Sequence, residues 1–135
     1  MRAEGTFTVV TSAPTDVVPT PAVTTAMQVG VMTMEKRYEG EVSGRSATLF
    51  TSAYDPAAGA GTYVALEAFE GSVDGRQGTF NFVHSATMVG SDRAHEFFLV
   101  VPSSGTGALA GITGSGGLRI DDDGTHRVWF DYDLP

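Results

Sequence analysis

The sequence contains no cysteine. A disulfide framework, a thiolate metal site and a cysteine nucleophile are therefore excluded. Basic residues are scarce: eight Lys and Arg stand against sixteen Asp and Glu, for a formal net charge of −8. That balance repels phosphate backbones and anionic lipid surfaces, so neither nucleic acid nor a membrane is an expected partner. Long apolar runs are missing too. Nowhere are there about 18 consecutive apolar residues, and the opening MRAEGTFTVV has no apolar segment of signal length. The expectation is a soluble cytoplasmic protein. No segment repeats its apolar residues at helical spacing.

What the chain does have is glycine, 17 of 135 residues, along with many Thr, Val and Phe. This composition favours strands and turns over helix. Alternating segments bounded by Gly, Pro, Asp and Ser predict strands over 5–11, 24–38, 46–54, 62–71, 79–88, 94–101 and 127–134, with a shorter one near 117–120. The proline-bearing stretch SAPTDVVPTPA (12–22) predicts a surface loop, because proline cannot donate to a ladder. The run SGTGALAGITGSGG (104–117) lacks phosphate-loop spacing, and its glycines predict sharp bends at a rim. A chain of 135 residues fits one domain, residues 1–135. Seven or eight mostly antiparallel strands leave a sandwich or a closed barrel. Closure removes exposed edges, so the expected fold is all-β, a closed antiparallel barrel of about eight strands.

Asp74-Gly75 is a two-residue hairpin signal, because a type I′ turn needs positive φ at both central positions. With Val73 opposite Arg76, the pairing runs back as Phe69–Phe80, Glu67–Phe82, Ala65–His84 and Tyr63–Ala86. Side chains alternate along a strand. One face then carries Tyr63, Ala65, Glu67, Phe69, Phe80, Phe82, His84 and Ala86, and its aromatics mark it as the interior. The other carries Val64, Leu66, Ala68 and Val83, apolar enough for a homo-dimer or a higher homo-oligomer. In the last strand His126, Val128, Phe130 and Tyr132 oppose a charged face. His126 and Tyr132 are thus expected to line the lumen near opposite ends of that strand.

Glu67 and His84 sit on diagonal positions from which their side chains can approach, with Tyr63 one step further. A carboxylate among aromatics has its pKa raised by desolvation, unless a charged His84 stands beside it. Such a pair suits proton transfer near neutral pH. It is equally a buried hydrogen bond that satisfies only its own polarity. Either face of the segment around His95 could point inward. The three histidines show no HxH or HExxH spacing, and the DDDG run (121–124) lacks the ligand spacing of a calcium loop. No metal and no cofactor are expected. Ser103 and Ser104 lack a GxSxG context. Met27, Met32 and Met34 suit core packing, or an adaptable apolar wall.

The run YVALEAFEGSVDGRQGTFNFVH resembles the middle of a bacterial family of small proteins, domain-of-unknown-function family 3224. VVPSSGTGALAGITGSGG is similar to its other signature, and AEGTF and WFDYDLP agree with its opening and close. Glu67, Gly71, Gly75, Arg76, Gly78, His84, Gly105, Gly107, Leu109, Gly111 and Gly114 match its recurring positions. The resemblance implies a barrel like that of allene oxide cyclase, with an apolar lumen, and no assigned reaction. Three functions compete. The first is a cyclase- or isomerase-type enzyme holding an apolar small molecule in the lumen. In it Glu67 is base or orienting acceptor, His84 its proton partner, and Tyr63 a donor to a developing oxyanion. The second is a non-catalytic binding barrel. The third is an interaction protein with a filled lumen.

Overall fold

Alternation governs the chain from end to end, and the computed structural model, which describes residues 1–135, turns it into eight strands. These are β1 (Arg2–Pro14), β2 (Val29–Gly40), β3 (Val42–Asp55), β4 (Ala60–Val73), β5 (Arg76–Val89), β6 (Asp92–Val100), β7 (Thr113–Ile120) and β8 (His126–Asp133). Each pairs antiparallel with the next, and β8 returns to β1, so the sheet closes into a barrel. A three-residue 3₁₀ turn, Gly107–Leu109, is the one helical piece. No helix is long and apolar enough to cross a membrane.

The Asp74-Gly75 hairpin forms as its residues dictate. Asp74 has φ 51° and Gly75 φ 79°, and Val73 pairs with Arg76. The register then runs through Phe69–Phe80, Glu67–Phe82 and Ala65–His84 to Tyr63–Ala86. Val64, Leu66 and Ala68 lie exposed on the outside. Several boundaries differ from expectation, and three of them have a clear physical cause. β1 continues through the first residues of the proline-bearing stretch, where Ser12, Ala13 and Pro14 pair with β2. β2 begins at Val29 rather than 24, close to where its neighbours β1 and β3 run out, at Pro14 and Asp55. β7 begins at Thr113, so Gly114, Gly116 and Gly117 lie within a strand instead of at a rim. Their role there is close approach: a Cβ on Gly116 would stand 2.9 Å from the Phe98 ring.

Two bulges change which way side chains face. The β1–β2 ladder slips between Val9 and Thr11, and the β5–β6 ladder slips opposite Ser85–Thr87. The second bulge contains His95 at φ 52°. An extra residue reverses the alternation beyond it. Phe98 and Val100 are buried on one side of this bulge, and Arg93, paired with inward-facing Met88, turns inward on the other. The β6–β7 joint is the sparsest, with Leu99–Ser115 as its register pair.

One end of the lumen is solid. Phe69, Phe80, Phe82, Phe98, Phe130 and Tyr132 interlock there, closed from below by Leu109 and Ile112 of the β6–β7 connection. Phe130 meets Phe80, Phe82 and Phe98 edge-on, with centroids 5.5, 5.1 and 5.2 Å away. Such pairs add to burial through the ring quadrupoles. The Tyr132 hydroxyl donates to Asp74 Oδ2 (2.5 Å) and accepts from Arg76 Nη1 (3.1 Å), tying β8 to the hairpin turn.

Candidate functional site

The other end of the lumen is open. A recess of about 210 Å³ sits there, and every strand contributes to its wall. From β1 to β4 come Phe7, Lys36, Phe50 and Tyr63, and from β5 to β8 come His84, Arg93, Leu118 and His126. Met34 and Met88 complete an apolar band around it.

Beneath the recess lies Glu67, its side chain inaccessible to solvent. Four donors hold its carboxylate. Oε1 accepts from the Tyr38 hydroxyl (2.5 Å) and Ser46 Oγ (2.7 Å). Oε2 accepts from Lys36 Nζ (2.6 Å) and His84 Nε2 (2.6 Å). These partners converge because β2, β3, β4 and β5 lie in one register: Lys36 pairs with Ser46, Thr48 with Glu67, and Ala65 with His84. Lys36 is 4% exposed, and its ammonium also stands over the Phe7 ring at 4.9 Å. A lysine is seldom so buried unless it is paired.

The hydrogens of His84 follow from its partners. A carboxylate only accepts, so Nε2 carries the proton toward Glu67. In a neutral imidazole Nδ1 then accepts, and it does so from the Tyr63 hydroxyl at 2.8 Å. The Tyr63 oxygen accepts in turn from Arg93 Nη2 at 2.7 Å. Donation thus runs in one direction, Arg93 to Tyr63 to His84 to Glu67. The imidazole lies flat on aromatic neighbours, at 23° to Phe82 and 17° to Phe98.

Electrostatics agree with this assignment. Burial pushes the Glu67 carboxyl up, but the His84 hydrogen bond and the Lys36 charge outweigh it and hold the pKa at about 2. The raised carboxyl expected for this position is therefore corrected: Glu67 is ionised even beside a neutral histidine, because a buried lysine supplies the charge. Burial lowers the His84 pKa, Glu67 opposes this, and Lys36 and Arg93 add to the lowering. Tyr63 is raised by burial, with Arg93 opposing, so it stays a phenol.

Tyr63, His84 and His126 thus line the open recess, and Glu67 lies directly under it. Phe69, Phe80, Phe82 and Tyr132 do point inward, but into the solid end rather than against open space. Ala65 packs between the two ends with Tyr63 and Ala86. His95 sits exposed on its bulge, away from the other histidines. Asp121 of the DDDG turn accepts from Arg119 and Arg127. Ser104 Oγ bonds the backbone of Val101 and Asn81.

Sequence reasoning missed Lys36, Tyr38, Ser46 and Arg93. A signal existed for Lys36: it falls in phase with Met32, Met34 and Tyr38 on one face of β2. Arg93 had none, since the bulge that turns it inward has no distinctive residue pattern.

A family model described as a protein of unknown function (DUF3224) matches residues 3–132. A crystal structure of a protein with unknown function from the DUF3224 family of Shewanella oneidensis MR-1 superposes with a TM-score of 0.84. The two share 30% sequence identity over 100% of this chain and 98% of that one. No curated protein matches the chain.

Proposed function

The chain belongs to the DUF3224 family, and from that starting point we propose that its barrel mouth is a small-molecule site of isomerase or cyclase type. The observation that carries the reading is the one-way chain of donors from Arg93 to Glu67, which passes through two groups on the wall of an open, mostly apolar recess. The recess of about 210 Å³ exceeds the roughly 150 Å³ cavity that takes benzene, so a ligand somewhat larger than one ring fits.

The chemistry follows from the proton positions. Tyr63 has one O–H. When a ligand oxygen accepts that hydrogen, His84 Nδ1 loses its donor and becomes a free base on the wall. It can then take a proton from carbon next to the ligand carbonyl, while Tyr63, backed by Arg93, donates to the enolate oxygen that forms. The resulting imidazolium faces the Glu67 carboxylate, which stabilises it. Return of the proton to a different carbon isomerises the ligand. Where the same ligand folds a second carbonyl against the enolate carbon, that carbon adds to it, the acceptor's C=O π bond breaks, and its oxygen takes the proton from the His84 imidazolium as the ring closes. Glu67, saturated by four donors and with a pKa of about 2, is an orienting acceptor rather than the base.

Solvent deuterium uptake tests this without knowledge of the natural ligand. Small enolisable cyclic ketones are incubated with the protein in D₂O and label at the α-carbon is followed by NMR. The wild type should accelerate uptake, and Tyr63→Phe and His84→Gln should each reduce it about 100-fold. Equal uptake by all three proteins would sink the acid–base roles.

One observation favours a second reading, a binding barrel without chemistry. Every buried side-chain N and O already has a hydrogen-bond partner, so the network is complete with no ligand present. A ketone that binds and is recovered unlabelled would support it.

A further inference from the structure

The recess has a charge bias that its shape does not require. Lys36 and Arg93 line it, with Arg119, on the outer face beside Arg127, only at its edge, and none of the chain's sixteen Asp and Glu does. With two acids for every base in the sequence, an unselected opening would show the reverse. The outer groove around Arg2, Arg119 and Arg127 shows the ordinary mixture, since Glu4, Glu39 and Glu41 line it as well.

The carboxylates that partner these cations stay off the wall. Glu67 meets Lys36 from beneath (2.6 Å), and Glu96, half exposed, holds Arg93 Nε (2.5 Å). Asp121 holds Arg119 Nε (3.1 Å). Arg93 is the cation best placed to receive a ligand. Its side chain is 22% exposed, Nε and Nη2 are engaged, and Nη1 has no protein partner. A guanidinium has five N–H donors in a planar fork, so donors remain for a planar anion.

We infer that the recess selects a small organic carboxylate. Its anionic oxygens meet Arg93 Nη1 beside the Tyr63 hydroxyl, and its ring or short chain lies against Met34, Phe50 and Met88. The inference rests on the recess being the ligand site and names the class of ligand it takes. Partial burial favours the pairing, because a charge-assisted hydrogen bond strengthens as water is excluded.

The test uses benzoate, phenylacetate and cyclohexanecarboxylate, each against its own primary amide, followed through the methyl resonances of Met34 and Met88. The acids should shift both methyls at concentrations at least about tenfold below those the amides need. Arg93→Gln should weaken the acids about tenfold more than the amides and so remove that preference, and added salt should weaken the acids alone. Amides matching their acids would overturn the inference and leave the recess as a ligand site. A preference that survives Arg93→Gln would overturn it too. Methyls that respond to none of the six compounds would overturn both the inference and the site.

Discussion

Glu67 shows how a single buried charge can organise a site. Desolvation alone favours its neutral form, and four donors keep it ionised instead. The consequence for pH has one sign. Glu67 has a folded-state pKa below its ordinary 4.5, so its contribution to stability is present above 4.5 and is lost as pH falls toward about 2. That lowering is worth about 3 kcal/mol, at about 1.4 kcal/mol for each tenfold change in proton affinity. His84 is also lowered, from 6.5, so the fold favours its neutral form, and that contribution declines once pH drops below 6.5. Urea midpoints should therefore hold steady from pH 8 to 7, then fall first below pH 6.5 and again below pH 4.5. His84→Gln should remove the first fall, and a wild-type midpoint flat down to pH 5 would contradict the assignment. Glu67, His84 and Tyr63 were legible as a group because Asp74-Gly75 pins the register of their hairpin. Lys36 was marked only by its phase with Met32, Met34 and Tyr38, and neither it nor Tyr38 and Ser46 could be placed beside Glu67, because β2 and β3 meet at Glu41 without a comparable turn signal.

At the level of elements, the bulge in β6 decides which residues reach the site. Strict alternation from Phe98 and Val100 would send Arg93 outward; the extra residue near His95 turns it in. The same feature explains what sequence reasoning could and could not read. Eight strands, their antiparallel order and the β4–β5 faces follow from period-two patterns and one strong turn. A bulge leaves no such mark. The glycines of 113–117 misled for a related reason: glycine suits both a bend and a strand packed tightly against its neighbour, and only the Phe98 and Trp129 rings distinguish the two. At φ 52°, His95 occupies a conformation that a β-branched residue resists. His95→Val should cost about 1–2 kcal/mol in urea unfolding, whereas His95→Asn or His95→Gly should fall within about 0.5 kcal/mol of wild type. Equal losses for valine and glycine would mean that the imidazole, not the backbone, matters there.

The whole molecule divides its lumen by layer. An eight-stranded barrel has room for side chains or for one small ligand, and this one is packed with side chains at one end and leaves an open recess at the other. Closure was legible from strand count and the need to remove edges. The division was not, because it depends on which residues from all eight strands fall in the same layer. The ring is also uneven around its circumference. β3 and β4 pair without a break from Val42–Val73 to Asp55–Ala60, whereas β6 and β7 share Leu99–Ser115. Backbone amides of β6 and β7 that face this joint should exchange with solvent well before those between β3 and β4, as hydrogen-exchange NMR would read directly. Uniform protection around the ring would show that the joint is as firm as the rest.

That joint also bears on how the chain could be rewired. Met1 and Tyr132 are already bonded through both backbone groups, N to O at 2.9 Å and 2.8 Å in return. A short linker from Pro135 to Met1, with the chain reopened at the exposed Pro102-Ser103 turn, would give a circular permutant whose strands run from β7 through β8 and β1 to β6. Every long ladder would then join neighbours along the new chain, and the one pairing left to bring distant ends together would be the weakest in the molecule.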